Sequence, residues 1–272
     1  MSSSSTTNTK KTIAFLGASG GVGLAALTRA MAAGHTCIAL CRTPSKLTDR
    51  FPAAQHPNLK VVQGNAHDVA AVAQCLFPSS SPSTSTSAPN ATVSKPVDMV
   101  MSSIGGQFQF AKMTIDDPNV CENGMKTLLE AIDKVRRDNA TVLGEAGQAQ
   151  WRPRIVVVST CGISKAGRDF PLATLPIYKF MLKVPHEDKL AMESLLTGAA
   201  VEKAYSYSIV RPSLLTDPAV PDRKIRVGID DKPPVGYGIS RDDTGRWIFE
   251  NLLNVEEGQG GAYENRVVTI TW

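Results

Sequence analysis

The sequence has no run of about 18 apolar residues, which excludes a membrane-spanning helix of ordinary length. Its five cysteines (Cys37, Cys41, Cys75, Cys121 and Cys161) form no C-x-x-C pair and no metal-ligand spacing. That excludes the common zinc and dithiol motifs, and Cys37 and Cys41, in one apolar run, read as small buried hydrophobes. Charge of one sign is also scarce. The 29 basic and 25 acidic residues leave a formal net charge of +4, too mild and too scattered for a nucleic-acid surface. Residues 1–11 lack an apolar segment and lack arginine, so they read as a disordered Ser/Thr-rich tail and not as a secretory or mitochondrial leader. With an odd cysteine count, this points to a reducing, cytoplasmic setting. No internal repeat is visible.

At 272 residues, 42% of them hydrophobic, the chain is long enough for a sizeable core. Short β-rich runs alternate with longer helical ones, the pattern of a parallel sheet wound on both faces. Strands are expected at 12–17, 36–41, 59–63, 98–103, 154–159 and 205–210, with two more at 224–228 and 266–271. Helices are expected at 21–33, 67–76, 118–137, 187–202 and 241–254. The apolar runs Val97–Met101, interrupted only by Asp98, and Ile155–Val158 suit strands covered on both sides. Residues 78–96 are a low-complexity Ser/Pro/Thr segment, read as a surface insertion, and 138–153 are a milder one. The alternation resumes after each, so 12–272 reads as one domain.

The most informative stretch is Gly17-Ala18-Ser19-Gly20-Gly21-Val22-Gly23. It follows the apolar run Thr12–Leu16 and opens a helix-like run. Strand, glycine turn and helix together make a phosphate-binding turn. Gly17 turns the chain off the strand, Ser19, Gly20, Gly21 and Val22 bring backbone amides close to a diphosphate, and Gly23 lets the helix pack on the strand. The anion then rests on unpaired N–H groups at the positive helix end.

Later strand ends extend the site. About 20 residues past the turn, where an acidic residue would bind a ribose hydroxyl, stands Arg42. A guanidinium there favours a 2′-phosphate, hence NADP (as NADPH) over NAD; the alternative is a solvated loop residue. Asn65 and Ala66 are placed to meet an adenine edge, while Asp68 reads as a helix cap and His67 as an exposed first-turn residue. Ser102, Ser103, Ile104 and Gly105 are small enough to let backbone approach a ribose and nicotinamide.

These segments, with Val156-Val157-Val158-Ser159-Thr160 and Ile209-Val210-Arg211-Pro212-Ser213, resemble the atypical short-chain dehydrogenase/reductases. Within them the chain is similar to the NmrA-like group that includes biliverdin reductase B/flavin reductase-type proteins. The resemblance spans roughly 12–271. It implies a single Rossmann-like α/β domain with a small C-terminal substrate region, and a family that mixes reductases, isomerases and redox sensors. The conventional members use Tyr-x-x-x-Lys, which no tyrosine of this chain satisfies. By position, the resemblance places the active-site hydroxyl at Ser159 or Thr160 and the helix lysine at Lys189, which would bind the nicotinamide ribose. His186 is a candidate acid or an exposed residue of a helix opened by Pro185, whose dipole Glu187 and Asp188 would complement. Pro212 would end its strand and lead the chain over the nicotinamide, with Arg211 either a ligand contact or a structural ion pair. Tyr178 and Lys179 would cover the pocket, or belong to a lid helix packing Phe180 and Met181. The expected activity is NADPH-dependent reduction of a small carbonyl, enone or quinone-like substrate. The alternatives are a non-redox isomerase or cyclase, or a redox sensor that binds a partner. Neither nucleic acid nor membrane is expected as a partner, and the oligomeric state is left open.

Overall fold

The computed structural model describes residues 9–78, 95–106, 108–109, 114–140, 151–199, 205–217, 223–256 and 259–272. Most of the expected tail 1–11, of the insertion 78–96 and of the segment 138–153 lies outside the described residues.

The chain alternates strands and helices in the order β1 (Thr12–Leu16), α1 (Gly21–Ala32), β2 (Thr36–Cys41), α2 (Ser45–Thr48), β3 (Leu59–Gln63), α3 (Val69–Leu76), β4 (Met99–Ser102), β5 (Phe108–Gln109), β6 (Thr114–Ile115), α4 (Val120–Asp138), β7 (Arg154–Val158), α5 (Lys183–Ala199), β8 (Ser206–Pro212), β9 (Leu214–Thr216), β10 (Arg226–Ile229), β11 (Gly238–Ser240), α6 (Arg241–Ile248) and β12 (Arg266–Thr271). The main sheet has eight strands in the order β10-β12-β8-β7-β4-β1-β2-β3. All neighbours pair parallel except β10, which runs antiparallel to β12. Ile13–Leu16 and Ile155–Val157 are fully buried, as strands covered on both faces must be.

One face is covered by α1 and α6, where Leu27, Trp247 and Ile248 pack with Phe15, Val156 and Val210. The other is covered by α3, α4 and α5, where Val72, Leu128, Ile132 and Leu196 pack with Leu16, Val100 and Ile155. From β1 the chain fills the sheet toward β2 and β3, then returns past β1 to fill it toward β4, β7 and β8. That reversal opens a crevice at the carboxyl ends of the strands, where open α/β sheets bind their ligands.

Four expectations need correction. The helix expected at 187–202 starts earlier, at Lys183, because the π-helical turn Ile177–Met181 runs into it and His186 N–H reaches Leu182 O at 2.9 Å. Pro185 is therefore inside the first turn, where its missing N–H costs nothing. Asp188 does not serve its own helix; its carboxylate accepts from Cys121 N–H and Glu122 N–H and caps α4. Pro212 ends β8 as expected but does not stop its pairing, since Arg211 and Pro212 lie opposite Thr269 and Ile270. Its carbonyl accepts from Cys161 N–H at 3.0 Å. Finally, the turn at 177–181 is not an amphipathic lid helix packing Phe180: Tyr178 points inward and Phe180 is 79% exposed.

Candidate functional site

The glycine turn is held against β4. Gly17 has φ +85°, a left-handed conformation that a side chain resists, and a Cβ there would lie 2.9 Å from the Ser103 carbonyl. Ser103 Oγ donates to Gly17 O at 2.9 Å. Gly23 fits under the same turn, because a Cβ on it would lie 2.6 Å from Gly17 O. The N-cap, Gly20, has no side chain to cap α1, and no acidic residue stands in the helix's first turn. Its leading N–H groups thus keep their positive field for an anion.

Below the turn opens a cleft of about 370 Å³. Of the residues singled out from sequence, Gly17, Ser19, Gly20, Arg42, Asn65, Ala66, Ser103, Ile104 and Gly105 line it. Gly21, Val22, Gly23, Ser102, Ser159, Thr160, His186, Lys189 and Pro212 do not. Val22, Gly23 and Ser102 are buried, the first two within α1 and the third at the end of β4. Arg42 is exposed and makes no ion pair among the described residues, so its guanidinium is available at the cleft wall. Asn65 uses its Oδ1 to accept from His67 N–H at 3.2 Å, and Asp68 caps α3 through Ala70 N–H and Ala71 N–H. His67 is not simply exposed: it is half-buried, and Nε2–H reaches Val120 O at 3.1 Å. Asp116 and Asp117, which sequence reasoning passed over, also line the cleft. They follow the short β6, whose pairing with β5 no periodicity announces.

At the far end, Lys189 Nζ donates to Ile104 O at 2.9 Å and Val158 O at 2.7 Å, tying the ends of β4 and β7 together. One of its three N–H groups remains for a ligand. The Ser159 hydroxyl does not face a substrate. It is buried and donates to Glu193 Oε1 at 2.5 Å, and Glu193 also takes Arg211 Nε at 2.9 Å and Nη2 at 2.5 Å. Arg211 is thus an ion-pair residue. Thr160 is half-buried and donates only to the neighbouring Cys161 O at 3.1 Å.

His186 is a correction as well. Its ring lies 5.6 Å from that of Tyr178, beside Gly162, where a Cβ would be 2.7 Å from the imidazole Cε1. Burial pushes its pKa down to about 4, so it is neutral at pH 7 and carries no acidic imidazolium proton. Tyr178 is buried, stacks on Phe170 at 4.3 Å, and has its phenol pKa raised by burial. Asp169, also buried, accepts from Gly162 N–H at 2.9 Å, and burial raises its pKa. Only the loop after β7 brings these three together; their spacing in sequence carries no signal.

The His186 shift has a sign that can be tested. Its folded value of about 4 is below the ordinary 6.5, so the unfolded chain takes the proton first. The stability it contributes is present above pH 6.5 and is lost as pH falls toward 4. In His186→Leu the fall in unfolding free energy across that window should be shallower, as read by urea titrations at each pH. An unchanged slope would assign the effect elsewhere.

With this geometry in place, relatives are informative. The profile of a family described as NAD(P)H-binding matches residues 17–79 and 83–254. The chain is 38% identical to "Reductase pytE" of Aspergillus terreus, over 97% of this chain and 99% of that one. It is 34% identical to "Oxidase pynE" of Aspergillus niger, over 96% and 99%. A short-chain dehydrogenase/reductase of Veillonella parvula, solved in complex with NADP, superposes with a TM-score of 0.65 at 14% identity, covering 97% of this chain and 95% of that one. ChuY of Escherichia coli O157:H7, titled an anaerobillin reductase, gives 0.55 at 19% identity, covering 95% and 96%. At such identities the two structures establish a shared fold.

Proposed function

The chain belongs to the NAD(P)H-binding family, with the fold of the atypical short-chain dehydrogenase/reductases, and from that premise we propose an NADPH-dependent reductase of a small carbonyl, enone or quinone-like substrate. The observation that carries this reading is the uncapped, acid-free start of α1 together with an exposed Arg42 that has no ion pair among the described residues. A dinucleotide diphosphate suits the first and a ribose 2′-phosphate the second.

The residues divide the work as follows. Amides of Ser19–Val22 hold the diphosphate, while Gly17 and Gly23 shape the turn. Arg42 selects the 2′-phosphate, and Asn65 and Ala66 meet the adenine. Ser102–Gly105 and Pro212 border the ribose and nicotinamide, and the remaining N–H of Lys189 serves the ribose. A reduced nicotinamide supplies a hydride at this end of the cleft. The proton is a separate matter. The Ser159 hydrogen is committed to Glu193, and His186 is neutral. Thr160 would orient an acceptor oxygen by turning its hydrogen away from Cys161 O, with water as the proton source. Substrates whose reduced form needs no strongly positioned acid fit that arrangement best, as quinones do.

The test is NADPH consumption with a panel of quinones, enones and simple ketones, with Thr160→Val for comparison. Turnover that leaves NADPH absorbance unchanged would favour a non-redox isomerase or cyclase. Binding with no turnover would favour a sensor. Cofactor choice has its own test. Arg42→Ala should raise the NADPH Kd about tenfold or more and leave the NADH Kd within about twofold. Equal changes for both would remove the case for NADP.

A further inference from the structure

Two helices start side by side at the carboxyl edge of the sheet. α1 and α6 pack closely because Gly245 lacks a side chain; a Cβ there would meet Val22 O at 2.7 Å and Ala25 Cβ at 2.5 Å. Their approach lays Arg241, the first residue of α6, over the first turn of α1. Its Cδ is 3.3 Å and its Nε 3.8 Å from where a Gly21 Cβ would be. The guanidinium is then held from the other side. Nη1 donates to Asp217 Oδ2 at 2.5 Å. This pairing is set up by the small parallel sheet of β9 and β11: Thr216 is opposite Ser240, so Asp217 and Arg241 are the first residues beyond each strand. The Ser240 hydroxyl fixes the helix start by accepting from Asp243 N–H at 2.9 Å.

As a structural ion pair this contact does little. The side chains are 38% and 72% exposed, and such pairs contribute almost nothing to stability. As electrostatics it runs the wrong way for an empty protein. A cation belongs at a helix C-terminus, yet Arg241 lies against the positive end of α1, whose first turn has no acidic residue. The acids of α6's own first turn are engaged elsewhere, Asp242 with Arg29 and Asp243 with Arg246. An anion lying between the α1 amides and the guanidinium would reverse the sign of the arrangement.

We propose that Arg241 is a second anchor for the diphosphate of the dinucleotide, and that Asp217 parks its guanidinium until the diphosphate takes it. The proposal rests on the reading of the cleft as a dinucleotide site, and it adds a cation from the far end of the chain, which the glycine turn does not announce. A bidentate guanidinium bridging two phosphate oxygens is the geometry that arginine supplies and lysine does not. Asp217 competes with the diphosphate for the same donors, so it should weaken cofactor binding rather than support it.

Calorimetric titration of Arg241→Gln, Asp217→Asn and the unaltered protein with NADPH, NADH and adenosine 2′-monophosphate tests this. The diphosphate is common to both dinucleotides and absent from the monophosphate. Arg241→Gln should therefore raise the Kd of NADPH and of NADH by the same factor, about tenfold or more, and leave the monophosphate unchanged. Asp217→Asn should lower both dinucleotide Kd values. The unfolding midpoints without cofactor should match that of the unaltered protein. Unchanged Kd values in Arg241→Gln overturn the anchor, and weaker binding in Asp217→Asn overturns the parking role and makes the pair structural. Either result leaves the dinucleotide reading standing if the unaltered protein binds NADPH. If that protein binds neither dinucleotide, the reading falls and the anchor with it.

Discussion

Gly23→Ala should abolish NADPH binding and destabilise the protein by about 3 kcal/mol, the upper range for forcing extra atoms into a packed interior. The added methyl would lie 2.6 Å from Gly17 O and 3.0 Å from Ala18 Cα. Both are backbone atoms of the turn itself, so no rotamer change relieves the clash. Ser103 Oγ, 2.2 Å away, could rotate, but only by giving up its hydrogen bond to Gly17 O. Either way the turn must lift from β4, and the amides at the start of α1 lose their aim. Gly20→Ala is the control. Nothing lies within 4 Å of a Cβ at that position, and its φ of −169° is extended backbone open to any residue. That variant should keep its unfolding midpoint while still binding NADPH more weakly, because Gly20 lines the cleft proposed for the dinucleotide. Thermal unfolding and cofactor titration of both variants separate the two effects. A Gly23→Ala protein with native stability and affinity would show that the turn does not need its close fit.

Glu193→Leu should cost about 3–5 kcal/mol, the usual penalty for stranding one member of a buried ion pair. Glu193 accepts both Arg211 donors and the Ser159 hydroxyl, and the pair's side chains are only 7% and 11% exposed. Removing the carboxylate leaves a largely buried guanidinium without its counter-charge. Removing both charges should cost far less: Glu193→Leu with Arg211→Met is expected to recover most of the loss. Urea denaturation of the two single variants and the double variant gives the coupling directly. A double variant as unstable as the sum of the singles would mean that the two groups act independently. The network has a functional corollary too. Since Glu193 holds the Ser159 hydrogen, Ser159→Ala should alter stability more than turnover.

How far the residues announced this architecture depends on the range of the interactions involved. The strand, glycine turn and helix at 12–32 were legible because each part answers to its neighbours: apolar runs make strands, glycines allow the turn, and α1 follows from its own periodicity. The Asp68 cap on α3 was legible for the same reason, as its partners are two and three residues away. The lysine at 189 was placed only through likeness to a family pattern, and the structure shows two of its donors already used on strand ends. From sequence His186 is either a candidate acid or an exposed residue; the ring is neither, being buried against Tyr178 and Gly162, and burial alone moves its pKa. Asp188 was read as serving its own helix and instead caps α4, 66 residues earlier in sequence.

Local order and spacing thus announced the alternating architecture and the glycine turn between β1 and α1, because hydrogen bonds and side-chain periodicity within a few residues dictate them. Which hydroxyl is committed, which histidine is neutral, and which arginine leans over Gly21 were decided by folding alone. Ser159 meets Glu193 across 34 positions, and the Arg241 side chain reaches Gly21 from the opposite end of the chain. Such meetings depend on how helices settle on a twisted sheet, a matter of packing that no short stretch of residues encodes by itself.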